Sequence, residues 1–440
     1  MTTVISAETL RDMLDARRRG DRSFVVVDTR PEESFEGWQI ADSVNYFYKP
    51  FHEFDLAAFE GQTGVTSEDN VVTLCAKGKA STSFAAALES AGYSDVHVVE
   101  DGMRAWSAVY DHVPVPLPSA GDEPLDIVQI QRRAKGCLGY LIVGGIADGS
   151  DDTARTEGSG GDDRLAVAVD VSRHGEEWVA AAEAYGATVV GVLDTHVHAD
   201  HLSGGRALAD DLGVPYFLPV AAAARDVAYE FEAIERNATL DVGGVDLKAV
   251  ATPGHTEDMA SYLVGRSAVL TGDTLFADGI GRTELQFAAG ADDADTVDDG
   301  DDDTDTAESE DAERSGAMAG AHDLYDSLHA TLLAEPDDVV VCPGHFPVSN
   351  DGTTGSAVPG EPVITTIGAA RTGLDVLGFD REAFVERITN TLPEKPPNYT
   401  DVIAANRGVK QPPDAVSAIE LELGPNRCAA EATAEPRADD

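Results

Sequence analysis

Apolar residues along the chain fall into short runs that are too brief for helices and too regular for loops. "SFVVVDT" (23–29), "NVVTLCA" (70–76) and "DVHVVED" (95–101) are β-branched stretches bounded by turn residues, the pattern of strands buried on both faces. Segments of helical period separate them, such as "ASTSFAAALESAG" (80–92), which closes on Gly92. Alternation of this kind over residues 1–116 predicts a small α/β domain with a largely parallel sheet. "PVPLPSAGDEPLD" (114–126) is proline-rich, and residues 117–126 are expected to form a linker. A second series follows over 127–412: "GCLGYLIV", "RLAVAVDV", "TVVGVLDT", "VDLKAVAT", "SAVLTGD" and "DVVVCPG" read as strands, with helical stretches such as "GEEWVAAAEAYG" between them.

Two segments break this second series. Residues 148–163 form a polar loop. Residues 292–313, inside an insertion placed at 289–316, carry 13 acidic and no basic side chains, a composition expected to stay solvated and disordered. One or two helices are expected after "PGHF", and 413–440 reads as a partly frayed tail.

At 440 residues with 42% apolar content the chain has room for two or three domains with proper cores. Against 80 acidic side chains stand 31 basic ones, a formal charge of −49. That field repels nucleic acid and anionic membranes and argues against both as partners. Abundant acid with little lysine suits a protein that stays hydrated in concentrated salt, where screening removes the self-repulsion, so a halophile's cytoplasm is the expected setting. The opening segment lacks the apolar core and cleavage site of a signal peptide. The run "CLGYLIVGGIA" is too short and glycine-broken to span a bilayer. The four cysteines, Cys75, Cys137, Cys342 and Cys428, are scattered, which excludes a disulfide framework and a zinc knuckle. Cys137 and Cys342 read as core residues, and Cys428 receives no role.

Candidate chemistry concentrates in "DTHVHADHLSGG" (194–205). Here three of the chain's 11 histidines occupy six positions beside two aspartates. His196 and His198, two apart at a strand end, can reach one point, while Asp200 and His201 continue the turn toward a neighbouring one. His255 in "TPGHT", Asp273 in "TGDTLF" and His345 in "PGHF" also follow apolar strands near a glycine or proline turn. Strand ends share one sheet edge, so these distant residues can converge. Imidazole and carboxylate together suit zinc, iron or manganese.

The order and spacing of "THVHADHLSGG", "TPGHT", "TGDTLF" and "PGHF" resemble the metallo-β-lactamase superfamily over roughly 125–410. The resemblance implies an αββα sandwich with the metal site at one edge, between two sheets. In dinuclear members the matching residues would be His196, His198 and His255 at one metal and Asp200, His201 and His345 at the second, bridged by Asp273. "GDTLFADGIGRTELQ" and "LPEKPPNYTDVIAANRG" (392–408) are similar to the persulfide dioxygenase branch and its glyoxalase II relatives. That branch implies one Fe(2+) per chain on His196, His255 and Asp273, with positions left open for substrate and dioxygen. His198, Asp200, His201 and His345 would then orient the ligands, with Asp200 also a candidate catalytic carboxylate. The glyoxalase II alternative implies two Zn(2+), or a Zn/Fe pair, and thioester hydrolysis. Glu284 in "GRTEL" stands where aspartate is more usual, and Arg282 is a candidate clamp for a substrate carboxylate or, equally, a salt bridge that holds the loop.

In the first domain, "LCAKGKAST" (74–82) places Cys75 at a strand end before a helix, where backbone amides and the nearby Lys77 and Lys79 favour a sulfur anion. "VVVDTRPEESFEGWQIADSVN", "CAKGKAS" and "VVEDGMRAW" resemble a rhodanese (sulfurtransferase) domain over 1–116. The match implies that Cys75 is the persulfide-carrying nucleophile and that residues 76–80, with Lys77, Gly78 and Lys79, cradle the substrate. Trp38 stands where histidine is usual, and Ala80 where arginine is common. Together the two resemblances imply an enzyme that oxidises a low-molecular-weight thiol persulfide to sulfite and passes sulfur through Cys75, with sulfite or thiosulfate as partner anions. Both are compatible with a homodimer.

Overall fold

The computed structural model describes residues 2–117, 124–146, 164–285, 304–392, 394–396, 398–424 and 428–430. Its first unit is a five-stranded sheet in the order Thr3–Ile5, Val96–Val99, Val71–Leu74, Val25–Asp28, Val44–Asn45, and every pairing is parallel. Parallel strands need crossovers, supplied here by helices Ala7–Arg18, Glu32–Gly37, Leu56–Thr63 and Lys79–Ser90. Because helices cover both faces, the strands can be apolar throughout. Val26, Val72 and Val99 pack on one side, and Val27, Val71, Val96 and Val98 on the other. The expected parallel α/β domain is therefore present.

Two sheets stacked face to face make the second unit. One has seven strands, with Cys137–Ile146, Arg164–Val169 and Ala187–Leu193 at its centre. The other has six, built around Val245–Ala251, Ala260–Val264, Ala268–Gly272 and Val340–Pro343. Tyr140, Ile142, Val167 and Leu193 from the first sheet meet Leu247, Tyr262, Leu270 and Val340 from the second in one core. Helices Glu176–Ala184 and Gly205–Leu212 cover one outer face. Thr304–Asp326, Ile367–Gly373 and Arg381–Asn390 cover the other. This is the αββα layering expected of the second domain.

Three expectations change. Strand Tyr110–Pro114 pairs antiparallel with Asp126–Arg132 and so belongs to the seven-stranded sheet, not to the first domain as the boundary at 116 had it. A chain of alternating apolar residues does not say which of two sheets it will join. Within the acidic stretch, 304–313 lies in helix Thr304–Asp326, while 292–303 and the polar loop 148–163 fall outside the described residues. The helix is anchored further along by Ala317, Ala321 and Leu324, buried at helical spacing. The described part of the tail is docked: Glu420 of helix Ala415–Leu421 meets Arg104 of the first domain, Leu421 O accepts from Asn398 of the second, and Ala429–Ala430 pairs with Ile280–Gly281, while 425–427 and 431–440 fall outside the described residues.

The two units touch through directed polar contacts. Trp38 donates its indole N–H to Ala134 O at 3.1 Å, and Arg133 forks onto Asp15 at 2.7 and 3.0 Å. Trp38 thus has a structural partner across the domain border. No helix among the described residues is long and apolar enough to cross a membrane.

Candidate metal centre and thiol loop

The loop after strand Ala187–Leu193 is fixed by buried carboxylates before it offers any ligand. Asp170 accepts from Thr195 N (2.7 Å) and Thr195 Oγ1 (3.0 Å), and Asp194 accepts from Ser203 Oγ (2.5 Å) and Tyr216 OH (2.7 Å). Asn406 closes the turn, donating to His198 O (2.9 Å) and His201 O (2.8 Å) while accepting from Ser203 N (2.9 Å). Asn406 lies in the 392–408 segment, whose Tyr399 and Ile403 pack on Ala199 and Leu285. That closing segment is therefore the outer wall of the histidine loop.

His196, His255 and Asp273, from three separate strand ends, bring their ligand atoms within 4.8 Å of one another, fully buried. Each imidazole is held by its other nitrogen. His196 Nδ1 lies 2.9 Å from Thr195 Oγ1, whose own hydrogen serves Asp170, and His255 Nδ1 donates to Arg282 O at 2.8 Å. Both rings then point Nε2, as a lone pair, at the common point. His196 Nε2, His255 Nε2 and Asp273 Oδ2 have no hydrogen-bond partner, although His255 Nε2 and Asp273 Oδ2 are 3.4 Å apart. Atoms that close without a donated hydrogen are placed as co-ligands of a cation rather than as a donor and its acceptor. Burial and the neighbouring His198 hold His196 well below the ordinary histidine range, which keeps it neutral and ready to ligate.

His198 groups with Asp170 and Asp194 rather than with the trio, and neither of its ring nitrogens has a hydrogen-bond partner. Its Nε2 is 3.3 Å from Asp170 Oδ1, and although burial opposes protonation, Asp170 and Asp194 raise its pKa. Asp200, His201 and His345 form a second group: His201 Nδ1 is 3.0 Å from Asp200 Oδ1, and His345 Nε2 is 3.4 Å from Asp200 Oδ2 and 3.2 Å from Asp273 Oδ1. Asp273 thus turns one oxygen to each group. Glycine permits this closeness, since a Cβ on Gly344 would sit 2.4 Å from Asp273 Oδ1. Burial would raise Asp200, but His345 and His201 hold it well below the usual carboxylate range.

Two cysteines join this group that the sequence reading placed elsewhere. Cys137 is buried, as expected, yet its Sγ lies 3.5 Å from Asp200 Oδ2, because Leu138 N binds Gly344 O (2.8 Å) and stitches the two strands together. Burial and Asp200 push this thiol up, but His201 and His345 outweigh them and lower it to about 7. Cys428, in the supposedly frayed tail, is buried with Asp200 and His345. Cys342 lies in the core between the sheets. The proline-glycine turn next to His345 hinted at a close approach; nothing local pointed to Cys428.

Of the two readings of Arg282, clamp or loop salt bridge, its contacts match the second. Its side chain is buried, bonds Glu284 through Nε (2.6 Å) and Nη2, and donates through Nη1 to Glu394 O (2.8 Å). Its guanidinium is therefore committed to the loop that orients His255, not to clamping a substrate. Glu284 at the unusual position is its partner.

Glu422 is a further residue that the sequence reading missed. It is buried, accepts both Nη atoms of Arg132 at 3.0 Å, pairs with Arg173 and accepts Leu202 N at 2.9 Å. Burial would raise it, but Arg132 and Arg173 hold it far below the usual carboxylate range.

In the first unit Cys75 is buried at the end of strand Val71–Leu74, and Ser81 Oγ lies 3.4 Å from its Sγ. Gly78, at φ 79°, turns the chain into helix Lys79–Ser90. Lys77 and Lys79 are exposed, and Lys77 Nζ reaches Glu420 of the tail helix at 3.8 Å. Ala80, half-buried, contributes no charge.

Residues 6–109 match the model of the rhodanese-like domain, and residues 159–345 that of the metallo-beta-lactamase superfamily. A hydroxyacylglutathione hydrolase of Acidiphilium cryptum is 40% identical over 115 residues, 25% of this chain and 47% of that protein. One from Brucella anthropi is 36% identical over 104 residues, 23% of this chain and 40% of that protein. The match spans less than half the length of these curated relatives. Among solved structures, ETHE1 from Myxococcus xanthus is 24% identical with a TM-score of 0.44, covering 64% of this chain and 97% of that one. The chain thus joins a rhodanese-like domain to a domain of the metallo-beta-lactamase superfamily.

Proposed function

We propose that this protein oxidises a low-molecular-weight thiol persulfide to sulfite at one iron and hands sulfur on through Cys75. The observation that carries the reading is the grouping of the buried ligands: two imidazoles and one carboxylate with unpartnered ligand atoms share one point, while His198, whose ring nitrogens are also unpartnered, groups with Asp170 and Asp194 instead. His196 Nε2, His255 Nε2 and Asp273 Oδ2 would hold the metal. Ferrous iron in a two-histidine, one-carboxylate set supplies open positions and electrons for dioxygen. The net change is R–S–SH + O2 + H2O → R–SH + SO3²⁻ + 2 H⁺, in which the sulfane sulfur loses four electrons to oxygen. This chain's own part is to fix both rings through Thr195 and Arg282 O, to keep bulk water out by burial, and to place Asp200, His201 and His345 beside the ligands as proton-carrying groups. At the first domain, Cys75–S–S⁻ + SO3²⁻ → Cys75–S⁻ + S2O3²⁻ would transfer the outer sulfur, with the S–S bond breaking and the electron pair staying on Cys75. Lys77, Gly78 and Lys79 border that site. The high acidic charge supports the cytoplasm of a salt-adapted cell as its setting, with no nucleic-acid or membrane partner.

A second reading has its own support: the two oxygens of Asp273 face two groups, as a bridge between two metals would, and the curated relatives are named hydroxyacylglutathione hydrolases. On that reading the site is dinuclear and cleaves a thioester. Metal content and oxygen uptake separate the two. One iron per chain with oxygen consumed on adding a thiol persulfide supports the oxidation. Two metals, no oxygen uptake and thioester cleavage refute it.

A further inference from the structure

The Cys75 loop carries positive charge that its own domain does not neutralise. Lys77 follows the cysteine by two residues. Arg104 sits on helix Gly102–Trp106, which is stitched to the same loop: Met103 N donates to Cys75 O at 2.8 Å and Arg104 N to Ala76 O at 3.4 Å. Any Cβ on Gly102 would lie 1.8 Å from Cys75 O, so this approach is built into the sequence. Arg104 Nη2 and Lys77 Nζ converge on a single oxygen, Glu420 Oε1, at 2.6 and 3.8 Å. That oxygen comes from the tail helix Ala415–Leu421, 316 residues away in sequence from Arg104.

As a clasp the contact is poorly designed. Glu420 and Lys77 are each more than half exposed, at 52% and 56%, and although Arg104 is 17% exposed, a carboxylate this open to water adds little to stability. The firm anchor of the tail is Glu422, two residues on, fully buried among Arg132, Arg173 and Leu202 N. Glu420 is therefore free to rotate away without undocking its segment. An arginine fork beside a lysine is the pairing that recognises the oxygens of a small oxyanion, and the loop itself has alanine at position 80.

We propose that Arg104 and Lys77 form the oxyanion subsite of the Cys75 loop, taking sulfite or thiosulfate, and that Glu420 is a tethered carboxylate that holds this subsite until the oxyanion displaces it. The inference rests on the sulfurtransferase reading of Cys75 for its choice of anion, and assigns to the tail a role at the first site as well as at the second. Arg104 and Lys77 are positioning residues: they seat the oxyanion and do not exchange sulfur.

Thiosulfate binding to the full-length Cys75→Ser protein, followed by calorimetry at fixed salt, tests it without turnover. In that background Glu420→Gln should tighten thiosulfate about three- to fivefold, the effect of losing one exposed charged competitor, and Arg104→Ala should weaken it by about tenfold. Lys77→Gln should weaken it less, and Arg104→Lys should restore part of the loss. Sulfite should compete for the same subsite. With Cys75 intact, the same substitutions should move KM for thiosulfate in sulfur exchange with cyanide, leaving kcat nearly constant. Thiosulfate affinity within twofold of the parent for both Glu420→Gln and Lys77→Gln, two exposed positions that cannot unfold the protein, overturns the proposal whatever Arg104→Ala does. If wild-type protein fails to exchange sulfur while binding follows the charge pattern, the sulfurtransferase reading falls and the subsite stands. If exchange is normal and affinity ignores these residues, the subsite falls and the reading stands.

Discussion

Replacing Glu422 by glutamine should cost more stability than any surface substitution in this chain, because it strips the counter-charge from a buried guanidinium. Arg132 is 1% exposed and Glu422 fully buried. The carboxylate takes two bonds from Arg132 at 3.0 Å, one from Arg173 and one from Leu202 N at 2.9 Å. Its backbone carbonyl also accepts from the buried Lys135 Nζ at 2.7 Å, so three cations gather around one residue. Glutamine keeps the shape but removes the charge and presents hydrogens to cations that need acceptors. Breaking one side of a buried pair costs about 3–5 kcal/mol. At about 2–4 °C per kcal/mol for a domain of this size, the melting transition should fall by about 6–20 °C. Thermal unfolding at pH 7 and fixed salt measures this, and hydrogen exchange should show faster opening over 198–205 and the tail. The pH dependence has a definite sign. Arg132 and Arg173 outweigh burial and hold Glu422 below its unfolded value, so its contribution is complete above about pH 4.3 and disappears as pH falls through the folded pKa. Wild type and Glu422→Gln should therefore differ by a constant amount at neutral pH and converge only in strong acid. A variant that melts within 2 °C of wild type at pH 7 refutes the argument. So does a gap that grows as pH falls.

The metal assignment predicts that His255→Ala or Asp273→Asn reduces bound metal per chain to near zero by elemental analysis, whereas His198→Ala, which lies against Asp170, retains most of it; equal losses from all three would reject the trio. Thr195→Val removes the hydroxyl that lies 2.9 Å from His196 Nδ1 and should weaken metal binding about 10- to 100-fold in a chelator competition, the usual cost of losing support behind a ligand. Cys75→Ser should abolish thiosulfate:cyanide exchange with unchanged metal content, and Gly102→Ala, whose Cβ would collide with Cys75 O, should impair exchange in the same selective way. Exchange that survives Cys75→Ser would remove the nucleophile assignment.

Much of this protein is local information. Strands such as Val71–Leu74 and Ala268–Gly272 are β-branched runs too short to be helices, and their order alternates with helices as a parallel sheet requires. The ligand-type residues stand at strand ends beside Gly and Pro turns, so the sequence alone marks His196, His198, Asp200, His201, His255, Asp273 and His345 as candidates without saying which of them share a point. Beyond that reach lie the contacts whose partners are far apart along the chain. Nothing near Glu422 or Cys428 says that they will be buried beside residues 132 and 200, nor does the proline-rich stretch reveal that Tyr110–Pro114 pairs with the second sheet. Whether Arg282 meets a substrate or Glu284 is equally invisible, since both readings need the same charge in the same loop. The physical reason is one of scale. Period, turn chemistry and ligand type are properties of a few neighbouring residues, whereas burial and pairing of a charge are settled only when distant segments close around it, and there the tertiary structure chose among partners that the sequence left equivalent.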